Sequence, residues 1–149
     1  MKQSTIIFLV LFSLLITGAQ SRGKHGTSNQ RVNRRSLLVY TNITQAPMTI
    51  TSFEKGGDGG GPSSCDGQYH SNSFFFVALP TRWYNGGQRC FDSILIYYTD
   101  KYVQAMVIDE CDSDDCPDNM VVASRGIWKA LQVPQSEWGE TEVTWSVRI

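Results

Sequence analysis

All four cysteines of this 149-residue chain, Cys65, Cys90, Cys111 and Cys116, fall between positions 65 and 116. What they do depends on the compartment, and the N-terminus speaks to that. Lys2 supplies a positive n-region, Ile6–Ile16 is an apolar run interrupted only by Ser13, and Thr17-Gly18-Ala19 offers small residues for cleavage. Met1–Ala19 therefore reads as a secretory signal. The run is too short to span a bilayer, which takes roughly 20 apolar residues, and nothing later is longer. The expected mature protein is secreted, soluble and without a membrane anchor. In an oxidising compartment four cysteines pair into two disulfides, with three connectivities open. Secretion and the even count argue against a zinc site at Cys111-x4-Cys116.

The net charge of −1 averages two opposed segments. Gln20–Phe53 carries Arg22, Lys24, Arg31, Arg34 and Arg35 with no acid, whereas Glu54–Ile149 carries seven basic and fourteen acidic side chains. Five charges spread over a polar stretch with no aromatic platform make a solvated leader rather than a nucleic-acid arm. The organisation expected is a signal peptide at 1–19, a basic flexible leader at 20–46 and one folded domain at 47–149. Asn42-Ile43-Thr44 is a glycosylation sequon and Arg34-Arg35 a candidate processing pair, both suited to an exposed segment.

Regular structure should begin near Met48–Phe53, where β-branched residues alternate with others. Five glycines between Gly56 and Gly61 then exclude a helix or strand interior. No Lys-Ser/Thr follows them, so they do not form a phosphate-binding loop, and they read as a loop crossing close to other backbone. Strands are expected at Ser73–Leu79, at Ser93–Tyr98 and at Tyr102–Asp109, the last two as a hairpin turning at Thr99-Asp100-Lys101, and a final strand at Glu142–Val147. Phe74–Leu79 is continuously apolar, as in a strand buried on both faces. The single helix expected is Ala123–Leu131, stopped by Pro134. Many short strands, glycine turns and one short helix describe a mainly β protein, a small barrel stapled by disulfides.

The blocks KGGDGGGPSSCDGQYH at Lys55–His70, Pro80-Thr81-Arg82-Trp83-Tyr84, Met106–Asp112, Cys116-Pro117-Asp118-Asn119, Ile127–Leu131 and Thr144-Trp145-Ser146 occur in one order. Together they resemble the kiwellin or ripening-related protein family of plants. That resemblance implies a six-stranded double-psi β-barrel related to barwin, expansin and rare lipoprotein A domains. It also implies a secreted defence or ripening setting in the apoplast, where some members bind a secreted microbial chorismate mutase. Two departures stand out. Gln20–Ser52 lacks the cysteines of the family's N-terminal module, and only Asp112-Ser113-Asp114-Asp115 separates Cys111 from Cys116, where relatives carry a longer insertion with another cysteine.

Chemistry, if any, belongs to carboxylates. Asp109, Glu110, Asp112, Asp114, Asp115 and Asp118 crowd the end of an expected strand, and such density is one route to a general acid for glycoside cleavage. The competing reading is a solvated acidic loop in which Asp109 holds backbone. In lytic relatives the segment before the helix carries an aspartate, and Val122 stands at that position here. A valine transfers no proton, so Asp109 is the one catalytic candidate and the expected protein is not an enzyme. Binding candidates are Trp83 and Tyr84 on an expected turn, Asp109 and Asp112 in the acidic loop, and His70, the one histidine outside the leader. No metal or cofactor is expected. The partners expected are a secreted microbial protein or a cell-wall polysaccharide, met by a monomer, with neither nucleic acid nor membrane involved.

Overall fold

A computed structural model describes residues 40–112 and 116–148. The signal peptide, most of the basic leader, the Arg34-Arg35 pair, and Asp114 and Asp115 lie outside the described residues. Six strands close into a barrel: β1 (Tyr40–Thr51), β2 (Phe76–Pro80), β3 (Ser93–Tyr98), β4 (Lys101–Cys111), β5 (Val121–Ser124) and β6 (Glu140–Arg148). Around the barrel the order is β1-β5-β2-β4-β3-β6. The pairs β1/β5 and β2/β4 are parallel and the rest antiparallel.

The interior follows from alternation. Val103, Ala105 and Val107 of β4 point inward while Tyr102 and Met106 stay exposed, and Val143, Trp145 and Val147 do the same for β6. Ile127 and Trp128 of the helix α2 (Arg125–Ala130), with Leu131 just after it, are buried in the main core. A register shift between Val77/Val107 and Ala78/Asp109 inserts one residue into β4. A bulge of this kind re-aims side chains. Ile108 leaves the main core and joins Phe53 and Ala78 in a second, smaller cluster.

Four local expectations need correction. Strand β1 starts at Tyr40, so Tyr40–Ala46, read from composition as leader, runs antiparallel to β6; an irregularity between Thr41 and Thr44 breaks the alternation that would have marked it. The expected helix at Ala123 begins at Arg125, because Val121–Ser124 is a strand wedged between β1 and β2. Thr81–Tyr84 is a single helical turn, α1, closed by Asn85 in the left-handed region, so the described residues hold two α-helices rather than one. Phe74 and Phe75 are exposed, by 60% and 40%, and only Val77–Leu79 of that run is buried.

The segment from Ser52 to Phe75 joins β1 to β2 with little regular structure, and its backbone polar groups are satisfied one by one. Asp58 Oδ1 accepts from Ser52 N at 2.7 Å, and Gly59 N donates to Ser52 O at 3.1 Å. A β-carbon on Gly59 would run into that same carbonyl, so the expected close crossing of the glycine loop is real at this point. Ser63 Oγ donates to Ile108 O, and the Cys65–Cys90 disulfide ties the loop to the segment before β3. Asn72 uses all of its groups: N donates to Glu54 Oε1 (3.0 Å), Nδ2 to Ser52 Oγ (2.7 Å), Oδ1 accepts from Phe53 N (2.9 Å) and O from Gly126 N (2.7 Å). Truncating Asn72 to Ala removes two of these bonds and orphans Phe53 N–H. The expected loss is about 2 kcal/mol of unfolding free energy, measurable as a lowered midpoint in thermal circular dichroism.

Candidate functional site

The end of β4, the glycine loop and β5 meet around a cleft of about 240 Å³. Its floor is the small cluster: Phe53 and Ala78, with Cys111 and Val122 beside them. Its rim carries Asp109, Glu110 and Asp112 from the end of β4, Asp58 from the glycine loop and Thr51 from β1. The second disulfide, Cys111–Cys116, closes the short acidic loop directly beyond this rim. No free cysteine is left among the described residues, so neither a thiol nucleophile nor a zinc-binding cysteine pair is available there.

Asp109 is committed to architecture. Its Oδ1 accepts from Ser64 N (2.9 Å), Ser64 Oγ and Glu110 N (2.9 Å), which leaves only Oδ2 for another partner. Val122 lines the same cleft, so an apolar side chain stands where a second carboxylate would make an acid–base pair. Asp58 likewise spends its Oδ1 on Ser52 N and, at 3.5 Å, on Thr51 Oγ1. Geometry of this kind presents negative charge and hydrogen-bond acceptors over an apolar floor.

The remaining sequence candidates are not gathered here. Tyr84, expected on a surface turn, is 6% exposed, and its hydroxyl donates to Cys90 Sγ at 3.4 Å. Burial, reinforced by the negative charges of Glu110 and Asp109, pushes that phenol above its usual range and keeps it protonated. Trp83 is half-buried, edge-on to Trp145 (centroids 5.0 Å), with the Arg82 guanidinium 5.8 Å from its ring. Arg82 also pairs loosely with Asp118 at 3.9 Å. His70 donates its backbone N–H to Phe53 O (2.9 Å) and packs edge-on to Phe76, while Nε2 sits 3.2 Å from Asp66 Oδ1. Burial pushes the Asp66 carboxyl up, but the Gln68 N–H and His70 outweigh it and hold it below the usual aspartate range. Asn42 lies on β1 next to Ile43, which is 74% exposed. Residue-by-residue reading passed over Asp58 and Thr51, which reach the cleft through chain crossing; the one local signal was an aspartate set among glycines.

Fold and site together define a disulfide-stapled, closed double-psi β-barrel of the expansin type with an acidic surface cleft. A family model described as Kiwellin-1 matches residues 22–148, and the chain belongs to the kiwellin family. Ripening-related protein grip22 of Vitis vinifera is 46% identical over 119 residues, covering 72% of this chain and 54% of its own length. Kiwellin of Actinidia chinensis var. chinensis is 43% identical, covering 72% and 55%, and putative ripening-related protein 2 of Oryza sativa subsp. japonica 44%, covering 71% and 61%. The chain thus spans little more than half the length of these relatives. Among solved structures, a Clavibacter michiganensis expansin superposes with a TM-score of 0.58 at 19% identity (72% of this chain, 51% of that one). Streptomyces papain inhibitor does so with 0.57 at 21% (74% and 99%). These last likenesses concern the fold alone.

Two outcomes test the site's construction. Asp109→Ala should lower unfolding stability by roughly 2 kcal/mol, since two backbone N–H groups lose their acceptor; chemical denaturation measures it. Asp66 has a depressed folded pKa, so its contribution is present at neutral pH and fades as pH falls below about 4. The stability gap between the native chain and Asp66→Asn should close over that acid range.

Proposed function

We infer that this chain is a secreted, non-enzymatic binding module acting in the plant apoplast, in defence or ripening. Its acidic cleft meets a secreted microbial protein or a cell-wall polysaccharide. The observation that carries this reading is an Asp109 whose Oδ1 is held by Ser64 and Glu110, set with Val122 in one cleft. Cleaving a glycosidic bond takes a proton donor and a base or nucleophile held across the bond; here Asp109 and Asp58 are engaged with backbone and Val122 is aliphatic, which leaves Glu110 and Asp112, both at the end of β4 on one side of the cleft. The same surface suits recognition: Glu110 and Asp112 offer acceptors, and Phe53 and Ala78 offer an apolar floor.

The extracellular setting draws support from both disulfides, which need an oxidising compartment. Among the described residues no helix is long and apolar enough to cross a membrane. The polysaccharide arm draws support from the Clavibacter expansin, whose barrel superposes with a TM-score of 0.57 in a structure containing cellohexaose.

The test is a pair of assays on the full secreted chain. Incubation with plant and fungal wall glycans should release no soluble sugar. Affinity capture from infected apoplastic fluid, or binding to insoluble glycans, should recover a partner whose retention weakens several-fold in Asp112→Asn. Sugar release abolished by Asp109→Asn would replace this reading with a polysaccharide-modifying enzyme.

A further inference from the structure

A second and larger hollow, about 530 Å³, shares no lining residue with the Asp109 cleft. Its volume falls in the range of small-molecule sites, roughly 300–1,000 Å³. One wall is α2, which contributes Arg125 and Lys129, one helical turn apart and both exposed. Ser71 and Ser73 stand on the facing loop, Phe75 contributes an exposed phenyl, and Glu54 closes the loop side.

The two walls are locked together. A β-carbon on Gly126 would lie 2.6 Å from Ser73 O and 2.8 Å from Phe74 O, and Gly126 N donates to Asn72 O at 2.7 Å. Only glycine lets α2 seat this deeply, and that seating brings Arg125 and Lys129 into one hollow with Ser71 and Ser73. Neither Arg125 nor Lys129 forms an ion pair among the described residues. Glu54, by contrast, is held on the loop side by its bond from Asn72 N. In a domain where acids outnumber bases two to one, two unpaired cations therefore converge on one hollow.

We propose that this hollow binds a uronate-containing oligosaccharide, its carboxylate on Arg125 and Lys129 and its sugar face on Phe75. Each part of the ligand answers a feature of the wall. A planar guanidinium takes a carboxylate through two parallel hydrogen bonds, and the neighbouring ammonium adds charge without fixing geometry. Ser71, Ser73 and Glu54 exchange hydrogen bonds with ring hydroxyls, and an exposed aromatic face suits the C–H side of a pyranose. Glu54 also sets polarity, repelling a carboxylate from the loop side and directing it to α2. A neutral glucan would leave both cations unused, and a bare inorganic anion would leave the phenyl unused.

The inference is separate from the Asp109 cleft and is tested separately. Calorimetric titration of the full secreted chain with oligogalacturonate at low salt should give saturable binding, with cellohexaose at least tenfold weaker. Arg125→Gln/Lys129→Gln should lose roughly tenfold in affinity, the size expected for two exposed charge pairs, and Arg125→Lys/Lys129→Arg should retain most of it. Phe75→Ala should weaken binding without changing its salt dependence, and Asp112→Asn should leave it intact. All four positions altered here are solvent-accessible, and an unchanged thermal midpoint verifies folding. Amide shifts on titrating the native chain should centre on Ser71, Ser73 and Gly126. Absence of saturable binding, equal affinity for cellohexaose, or an undiminished Arg125→Gln/Lys129→Gln variant overturns the proposal. So does equal binding of a sulfated polymer with no effect of Phe75→Ala, which would mark simple polyanion attraction.

Discussion

The parallel pairing of β1 with β5 and of β2 with β4 is the constraint from which the rest of the molecule follows. β5 lies between β1 and β2, parallel to the first and antiparallel to the second, so the two consecutive strands cannot be joined by a tight hairpin turn. Their connection, Ser52–Phe75, contains neither helix nor strand, so side chains and a disulfide do the work of a ladder. Asp58, Ser63, Asn72 and Asp109 each accept from or donate to backbone of the loop or of the strand it crosses. The Cys65–Cys90 bridge then restricts the unfolded loop and so favours the ordered one.

Because the crossing loop lies over the barrel, it also shapes both surface hollows. Its glycine-rich half brings Asp58 beside the end of β4 and completes the acidic cleft. Its last residues, Ser71–Ser73, lie against α2 and complete the cationic one. The acids at the end of β4 and the two cations of α2 are thereby held in separate hollows on one small domain, with Glu54 the one acid that lines the cationic hollow.

Elements with an uninterrupted local pattern were legible. The β3–β4 hairpin and β6 appear where alternation placed them, because an inward residue at every second position is a property of the strand itself. Legibility failed where partners decide. Ala123 and Ser124 read as the start of a helix, yet pairing with β1 and β2 makes Val121–Ser124 a strand, and Ser124 spends its hydroxyl on Phe74 O instead of capping α2. Tyr40–Ala46 lacks alternation because of an irregularity that only β6 explains. Tyr84 read as exposed because it precedes Asn85-Gly86-Gly87, while one helical turn rotates it into the core.

At the site the same division holds. Composition and spacing alone determined that four cysteines would pair and that acids would crowd the end of β4, and the family resemblance added that Val122 stands where lytic relatives carry an aspartate. These are statements about which chemistry is present, and residue identity suffices for them. Only the tertiary structure decided that Cys65 joins Cys90 and Cys111 joins Cys116, that Asp109 is consumed by Ser64 and Glu110, and that Arg125 and Lys129 face two serines and a phenyl ring. Those depend on which distant segments come within a hydrogen bond of one another. That is set by closing the barrel and seating Gly126 against the crossing loop, and no local window contains it.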